Sequence, residues 1–267
     1  MVRIACTVMQ KDEDALLEPW FRFHGKLVGY ENLFVFDNGS SSAHCLKVLR
    51  RYEDQGANID RTYSTVSDYA AKGEIIAAII RRLQSDRTYD FVFPLDCDEF
   101  VVLRDGDTAT ISRDRIFSHA ETLVPLGGLH RVGKQFFNII NRPGEFGIAD
   151  YTKTAIVLDG TFEHSDHGHH HCTTSAGSNY GHCDFAYVHY HYKPLAMLKA
   201  HARSKLAPFV NVNDLAAVAV FDGPGHHLRS YLQMTDAEFS TWHQGSNFYE
   251  FVEFNALLRS LGTPIGF

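Results

Sequence analysis

The sequence lacks the features of several protein classes. Its 267 residues contain no apolar run near the roughly 18 residues that a membrane-spanning helix needs. Lysine and arginine number 25 against 32 aspartates and glutamates, so the net charge is −7 and the basic excess of a general nucleic-acid-binding protein is missing. The first residues, MVRIACTVMQKDED, become acidic too soon for a signal peptide. We therefore expect no transmembrane segment and no nucleic-acid partner.

Cysteine is scarce, whereas histidine is abundant. Five scattered cysteines, an odd number, indicate reduced thiols and a cytoplasmic protein. Twelve of the 16 histidines fall between residues 164 and 243, many of them in HSDHGHHHCTTSAGSNYGHC. This run has enough ligands for a tetrahedral zinc site, but no paired spacing such as C-x-x-C. Three interpretations stay open: a zinc site, a loop that contacts an acceptor substrate, and a solvated loop without specific chemistry.

Residues 1–104 alternate the patterns of strands and helices. VRIACTVM, NLFVFD and FVFPL have the composition of buried strands, and a shorter strand is expected near residues 59–63. Between them, apolar residues recur at helical spacing, as in LLEPWFRFHGKL and KGEIIAAIIRRLQ. The resulting βαβαβαβ order predicts an α/β fold, a mainly parallel sheet flanked by helices on both faces.

After residue 104 this rhythm breaks into strands with loops and then helices. We predict one domain over residues 1–267, with a ligand-binding half (1–104) and an elaborated half (105–267). Within the second half, TDAEF has the spacing of a capping box and predicts the start of a last helical region.

Three carboxylates follow a buried strand in FVFPLDCDEFVVL, residues 91–103. Asp96, Asp98 and Glu99 lie so close in sequence that a cation, either a basic side chain or a metal ion, is needed to offset their repulsion. A calcium-binding EF-hand is excluded because Phe100 and Val101 occupy its fifth and sixth positions. In extended backbone Asp96 and Asp98 point the same way, so both can face one Mg²⁺ or Mn²⁺ ion. The alternative is a surface turn with solvated acids.

Three segments together resemble a known enzyme family. The segments are MQKDEDALLEPWFRFHGKLVGYENLFVFDNGSSS, FVFPLDCDEFVVL and VHYHYKPLAMLKAHARSK. They resemble the family-2-like glycosyltransferases of the GT-A (Rossmann-like) fold, and in particular the branch of glycosyltransferase family 92 with its D-x-D-E-F motif. The matching positions are Lys11, Glu13, Leu17, Glu18, Trp20, His24, Asp37, Asn38, Ser40, Asp96 to Phe100, and His189. Asp12, Pro19 and Pro194 depart from the family pattern, and residues 105–186 match only loosely.

The resemblance implies a transferase that moves a sugar from a nucleotide-sugar, expected to be a UDP-sugar, to an acceptor hydroxyl with inversion. Residues 1–104 would then be the nucleotide-sugar-binding half and residues 105–267 the acceptor-binding half. The acceptor would be a glycan or a lipid-linked saccharide in polysaccharide biosynthesis, and peripheral contact with the inner face of a membrane stays open. It also implies a Mn²⁺ or Mg²⁺ ion held by Asp98 and His189, with Asp96 on the metal through water or on the ribose. His191 is a rival to His189, which is otherwise a packed histidine.

Further roles follow from the same resemblance, each beside a structural alternative. Thr7 would offer backbone contacts to the nucleobase, as would the side chain of Glu13, although Glu13 also suits a helix N-terminus. Asp37 would accept a hydrogen bond from uracil, or form an Asx-turn in DNGSS. Lys72 would reach the diphosphate, or be a solvated lysine. Glu99 is expected to hydrogen-bond the strand-end backbone.

An inverting enzyme also needs a base near the acceptor hydroxyl. The candidates for this base are Glu163, His164 and Asp166, each of which is otherwise an ordinary loop residue.

Two other functions stay in view. A nucleotidyltransferase of related fold usually has a glycine-rich loop after its first strand, which TVMQKDEDA lacks. A carbohydrate- or nucleotide-binding module without catalysis is the other, and the intact DCDEF motif argues against it.

Overall fold

A computed structural model describes residues 2–140, 142–241, 248–263 and 265–266. The strands are β1 (Ile4–Gln10), β2 (Leu33–Asp37), β3 (Asn58–Asp60), β4 (Phe91–Leu95), β5 (Glu99–Asp105), β6 (Thr108–Thr110), β7 (Leu129–Asn138), β8 (Glu145–Val157), β9 (Phe162–Ser165), β10 (Cys172–Thr174), β11 (Tyr180–His182), β12 (Phe185–His189) and β13 (Phe248–Glu250). The helices are α1 (Leu17–Val28), α2 (Ala43–Glu53), α3 (Val66–Ala70), α4 (Lys72–Asp86), α5 (Arg113–Leu123), α6 (Leu195–Leu206), α7 (Leu215–Val220), α8 (Arg229–Gln233), α9 (Asp236–Thr241) and α10 (Val252–Ser260).

One mixed sheet organises these elements in the order β3-β2-β1-β4-β8-β7-β12-β5-β6. Strands β3, β2, β1 and β4 are mutually parallel, and β8 joins β4 in antiparallel orientation. Beyond β8 the sheet continues with β7, β12 and β5 in mixed orientations. The predicted α/β fold with a helix-flanked sheet is confirmed. The order 3-2-1-4 is that of doubly wound nucleotide-binding sheets, whose ligands bind at the carboxyl ends of the strands.

Two apolar layers cover the two faces of this sheet. Along β1, Ile4, Cys6 and Val8 pack with α1, α2, α5 and α10, whereas Ala5 and Met9 pack with α4 on the other face. This alternation follows from the two-residue period of a strand. All five cysteines are free, as predicted.

The second half departs in part from the expected pattern. The predicted capping box is confirmed, because Thr235 and Glu238 exchange backbone-to-side-chain hydrogen bonds of 2.7 and 3.2 Å. The histidine-rich run, expected as a long loop, instead contains short strands: β10 pairs with β9, and β11 pairs with β7. These three-residue strands are too short for a two-residue periodicity to show in the sequence, and their partners are distant.

Helices α6 to α9 enclose an apolar cluster of their own, built from Leu198, Ala202, Leu206, Tyr231 and Phe239 among others. We call residues 195–233 (α6–α8) the helical cap. Among the residues that the structure describes, no helix is long and apolar enough to cross a membrane.

His24, a position of the family pattern, is a core residue. It is fully buried, and its ring lies 4.5 Å from that of Trp20 and 5.8 Å from that of Phe100. Its Nδ1–H donates to the Trp20 carbonyl at 3.0 Å, while Nε2 accepts the Val101 amide at 3.4 Å. The neutral ring therefore satisfies both nitrogens, and burial lowers the pKa of His24 from 6.5 to about 3.

This burial makes stability depend on pH. The unfolded chain protonates His24 near pH 6.5 but the folded chain only near pH 3, so the contribution of His24 to stability is lost as pH falls below 6.5. At pH 5 the loss should be about 2 kcal/mol. Urea unfolding at pH 7.5 and pH 5 should show that His24→Gln, which cannot titrate, loses about that much less than the wild type. Equal losses in both proteins would contradict a buried neutral His24.

Candidate functional site

A cleft of about 630 Å³ lies where the carboxyl ends of β1 and β4 face the helical cap. Its sheet side carries acidic groups, and its cap side carries histidines, aromatic rings and a lysine. Cleft volumes of this size are typical of small-molecule sites. The charged residues that line it are Lys11, Glu13, Lys72, Asp96, Asp98, Lys193 and Lys205.

Two lysines neutralise Asp96. Lys72, the first residue of α4, contacts one carboxylate oxygen, and Nζ of Lys153 on β8 lies 2.6 Å from the other. Burial would raise the pKa of Asp96, but the charges of Lys153 and Lys72 hold it well below its ordinary value. The sequence left open whether a basic side chain or a metal ion offsets these carboxylates. At Asp96 the structure shows two basic side chains, Lys72 and Lys153.

Glu99 fixes the turn that carries the aspartates. It is fully buried, accepts the Asp96 amide at 2.8 Å and the Tyr151 hydroxyl at 2.5 Å, and lies 3.1 Å from Nζ of Lys153. The expectation that Glu99 bonds to the strand-end backbone is confirmed. The turn is held from β8 as well as from its own strand.

Asp98 faces His189 across the cleft floor. Strand β12 places His189 opposite Glu99 on β5, and Nε2 of His189 lies 3.6 Å from the Asp98 carboxylate. Its other nitrogen, Nδ1, donates to the Gln135 side-chain oxygen at 2.8 Å. Burial alone would lower the pKa of His189, but the negative charge of Asp98 outweighs burial and raises that pKa. Burial alone would raise the pKa of Asp98, but the positive charges of His189 and Lys193 lower it below its ordinary value.

These two side chains fit a divalent cation. A histidine that binds metal through one nitrogen commonly donates its other N–H to an acceptor, as His189 does to Gln135. Metal–ligand bonds are about 2 Å long, so a separation of 3.6 Å suits two ligands of one ion. Within the ranges described above, no three His, Cys, Asp or Glu side chains cluster as a metal site. The other ligands would therefore be phosphate oxygens and water.

Glu13 and Lys193 extend the charged network from β1 to β12. Nζ of Lys193 lies 2.7 Å from the Glu13 carboxylate. Burial raises the pKa of Glu13 despite this pairing. The structure thus brings five of the predicted site residues together: Glu13, Lys72, Asp96, Asp98 and His189.

Five other predicted site residues do not line this cleft: Thr7, Asp37, Glu163, His164 and Asp166. Thr7 is fully buried in β1. Asp37 is 3% exposed and accepts the hydroxyl and amide of Ser40 and the side-chain amide of Gln10. Its bonds are thus local to DNGSS, as in the structural alternative named above, but they reach three residues on rather than the two of an Asx-turn.

The three base candidates lie in or directly after β9 of the β9–β10 hairpin and outside the cleft lining. His164 lies 3.2 Å from Glu74, and Asp166 accepts the His171 amide at 3.0 Å. The hairpin packs so closely on α4 that a Cβ at Gly73 would lie 2.6 Å from the Ser165 carbonyl oxygen. The hairpin is thus held on α4, and His164 and Asp166 contact Glu74 and His171 rather than the aspartates.

The histidine-rich run divides between structure and cleft. His167, Gly168 and His170 line the cleft, His169 is fully buried, and His171 and His182 are exposed. Ser165 and Nδ1 of His169 lie 2.8 Å apart. Because three of its residues line the cleft, the run is not a purely solvated loop.

Lys153 is the principal site residue that the sequence did not reveal. In YTKTAIVL it has the appearance of a solvated lysine in a strand, yet its side chain is 1% exposed. Strand β8 runs antiparallel to β4, with Phe91 opposite Val157, and this pairing brings Lys153 level with the end of β4. Lys193 was not singled out either, although it lies in VHYHYKPLAMLKAHARSK, the segment of the family resemblance that contains His189.

No protein-family model matches the chain, and no curated protein matches it. Among solved structures it is similar to mannose-1-phosphate geranyltransferase from Thermus thermophilus, at 10% identity and a TM-score of 0.32 over 59% of this chain and 58% of that one. It is also similar to a mycobacterial protein, at 15% identity and a TM-score of 0.37 over 77% of this chain and 73% of that one. A third similar structure is S. aureus TarS, at 10% identity and a TM-score of 0.41 over 91% of this chain and 44% of that one. The chain thus spans less than two thirds of the first and third of these structures. Likenesses at this level assign neither family nor activity.

The buried lysine gives a test of the charge network. Lys153→Met leaves Glu99 and Asp96 with less compensation, and removing one partner of a buried pair costs about 3 kcal/mol or more. Lys134→Met is the matched control, because Lys134 pairs with exposed Asp150 on the same sheet and should cost about 0.5 kcal/mol or less. Urea unfolding at pH 7.5 measures both. A Lys153→Met protein as stable as the control would contradict the network.

Proposed function

We propose that the chain is a metal-dependent glycosyltransferase of the GT-A type, which transfers a sugar from a nucleotide-sugar to an acceptor hydroxyl. The observation that carries this is the Asp98–His189 pair, 3.6 Å apart on the floor of a cleft at the carboxyl ends of parallel strands. A UDP-sugar is the expected donor, and inversion is the expected outcome, both from the family resemblance. The acceptor expected on the same ground is a glycan or a lipid-linked saccharide.

The cleft contains both metal-ligand side chains and basic side chains, and a nucleoside diphosphate can bind to either kind of group. Asp98 and His189 would hold Mn²⁺ or Mg²⁺, and a bound cation offsets charge on the two phosphates as the nucleoside diphosphate leaves. Lys72 lies beside the same floor, with its ammonium group on Asp96. Aromatic side chains of the same cleft lining, including Phe137, Tyr192 and Tyr231, would offer apolar faces to an acceptor.

The transfer itself breaks the bond between the anomeric carbon and the donor's phosphate oxygen and forms one to the acceptor oxygen. The acceptor proton passes to a base. Glu163, His164 and Asp166 lie outside the cleft, so the proposal gives the base role to none of them. Asp96 and Glu99 are positioning residues. Their contacts to Lys72, Lys153 and Tyr151 hold the turn that contains Asp98.

Nucleotide binding tests the proposal. Titration calorimetry with UDP should show at least about tenfold tighter binding with Mn²⁺ present, equivalent to about 1.4 kcal/mol. Asp98→Asn should abolish that gain, since it removes a charged ligand, whereas Asp150→Asn on the exposed side of β8 should keep it.

A donor screen that detects released UDP completes this test on the wild type and Asp98→Ala. Turnover should require both the metal and Asp98. Equal turnover in the two proteins would defeat the assignment. Release of pyrophosphate from a nucleoside triphosphate would indicate a nucleotidyltransferase, and sugar binding indifferent to metal would indicate a binding module.

A further inference from the structure

The cap side of the cleft holds a cation that the proposed chemistry has not used. Lys205 lies in the last turn of α6, and its side chain crosses the cleft to the ring of Tyr69 on α3, with Nζ 3.8 Å from the ring centroid. Lys205, Tyr69, Lys72 and Lys11 all line the same cleft. A contact between a lysine and an aromatic face is favourable, but it does not neutralise the charge.

Two of the three other lysines in the cleft lining have carboxylate partners. Lys72 is paired with Asp96 and Lys193 with Glu13. Within the described part of the chain, no carboxylate forms such an ion pair with Lys205. Burial, together with the charges of Lys72 and Lys11, lowers the pKa of Lys205 to about 8. Like charges gathered in a partly buried cleft repel, and an anion placed among them relieves the repulsion.

We propose that Lys205, with Lys72 and Lys11, forms an anion site that takes a diphosphate group from the side of the helical cap, opposite Asp98 and His189. The proposal rests on the proposed function, because it names the part of the ligand that the cap contacts. The cap lysine then shares the charge of the diphosphate with the cation at the floor. Since Lys205 also contacts Tyr69 of α3, the same side chain joins the cap to the sheet side of the cleft.

A diphosphate has two sources in this setting, the nucleotide of the donor and the linkage of a lipid-bound acceptor. Calorimetry without metal, in the presence of EDTA, separates them with three probes: inorganic pyrophosphate, UDP and uridine. If Lys205 binds a diphosphate, the wild type should bind pyrophosphate and UDP. Uridine has no phosphate, so it should either not bind or bind equally well with and without Lys205. A gain in affinity from pyrophosphate to UDP assigns the site to the donor, and equal affinities assign it to the acceptor's diphosphate.

Lys205→Met should weaken pyrophosphate binding about tenfold, the effect of one lost charge-assisted hydrogen bond. Lys199→Met, on the same helix but outside the cleft lining, is the matched control and should bind as the wild type does. Lys205→Arg should restore most of the affinity, because it keeps the charge. Circular dichroism and thermal unfolding of each variant verify that the cap is folded.

Three outcomes overturn the site: a wild type that binds no pyrophosphate, a Lys205→Met protein that binds it normally, or an equal loss in Lys199→Met. The proposed function fails separately, through UDP binding that Mn²⁺ and Asp98 do not change. If Mn²⁺ tightens UDP binding but Lys205→Met does not weaken pyrophosphate binding, the proposed transferase function stands and the proposed anion site is wrong.

Discussion

The carboxylates at the end of β4 can lie together because two lysines and a histidine from three distant segments reach them. Lys72 comes from the start of α4 and Lys153 from β8, and His189 of β12 faces Asp98. A buried carboxylate without such a partner is strongly unfavourable. This charge compensation therefore depends on the packing of α4, the antiparallel pairing of β8 and the position of β12.

This compensation divides the acidic turn into two parts. Asp96 and Glu99 face lysines and Tyr151, so their oxygens serve to hold the turn. Asp98 instead faces the imidazole of His189, whose orientation Gln135 sets. Neighbouring carboxylates thus differ in task because their partners differ. This difference is why we give the cation to Asp98 and His189 rather than to both aspartates.

The sequence predicted what depends on local pattern. The alternation of strands and helices, the cluster at Asp96 to Glu99, the backbone bond of Glu99 and the capping box at Thr235 all follow from periodicity or short spacing. It did not predict Lys153, because its burial results from the pairing of β8 with β4. The sequence also did not predict that Glu163, His164 and Asp166 lie outside the cleft, because the packing of their hairpin on α4 at Gly73 is a tertiary contact. The family pattern itself mixed two kinds of residue: His24 belongs to the core, and Glu13 to the cleft.

Pulsed electron paramagnetic resonance of Mn²⁺ with UDP bound tests the central claim most directly. If Asp98 and His189 hold the ion against a diphosphate, the spectrum shows coupling to one imidazole nitrogen and to phosphorus, and the nitrogen signal disappears in His189→Gln. A spectrum in which Mn²⁺ couples to phosphorus but never to nitrogen, in the wild type as in the variant, would contradict this account.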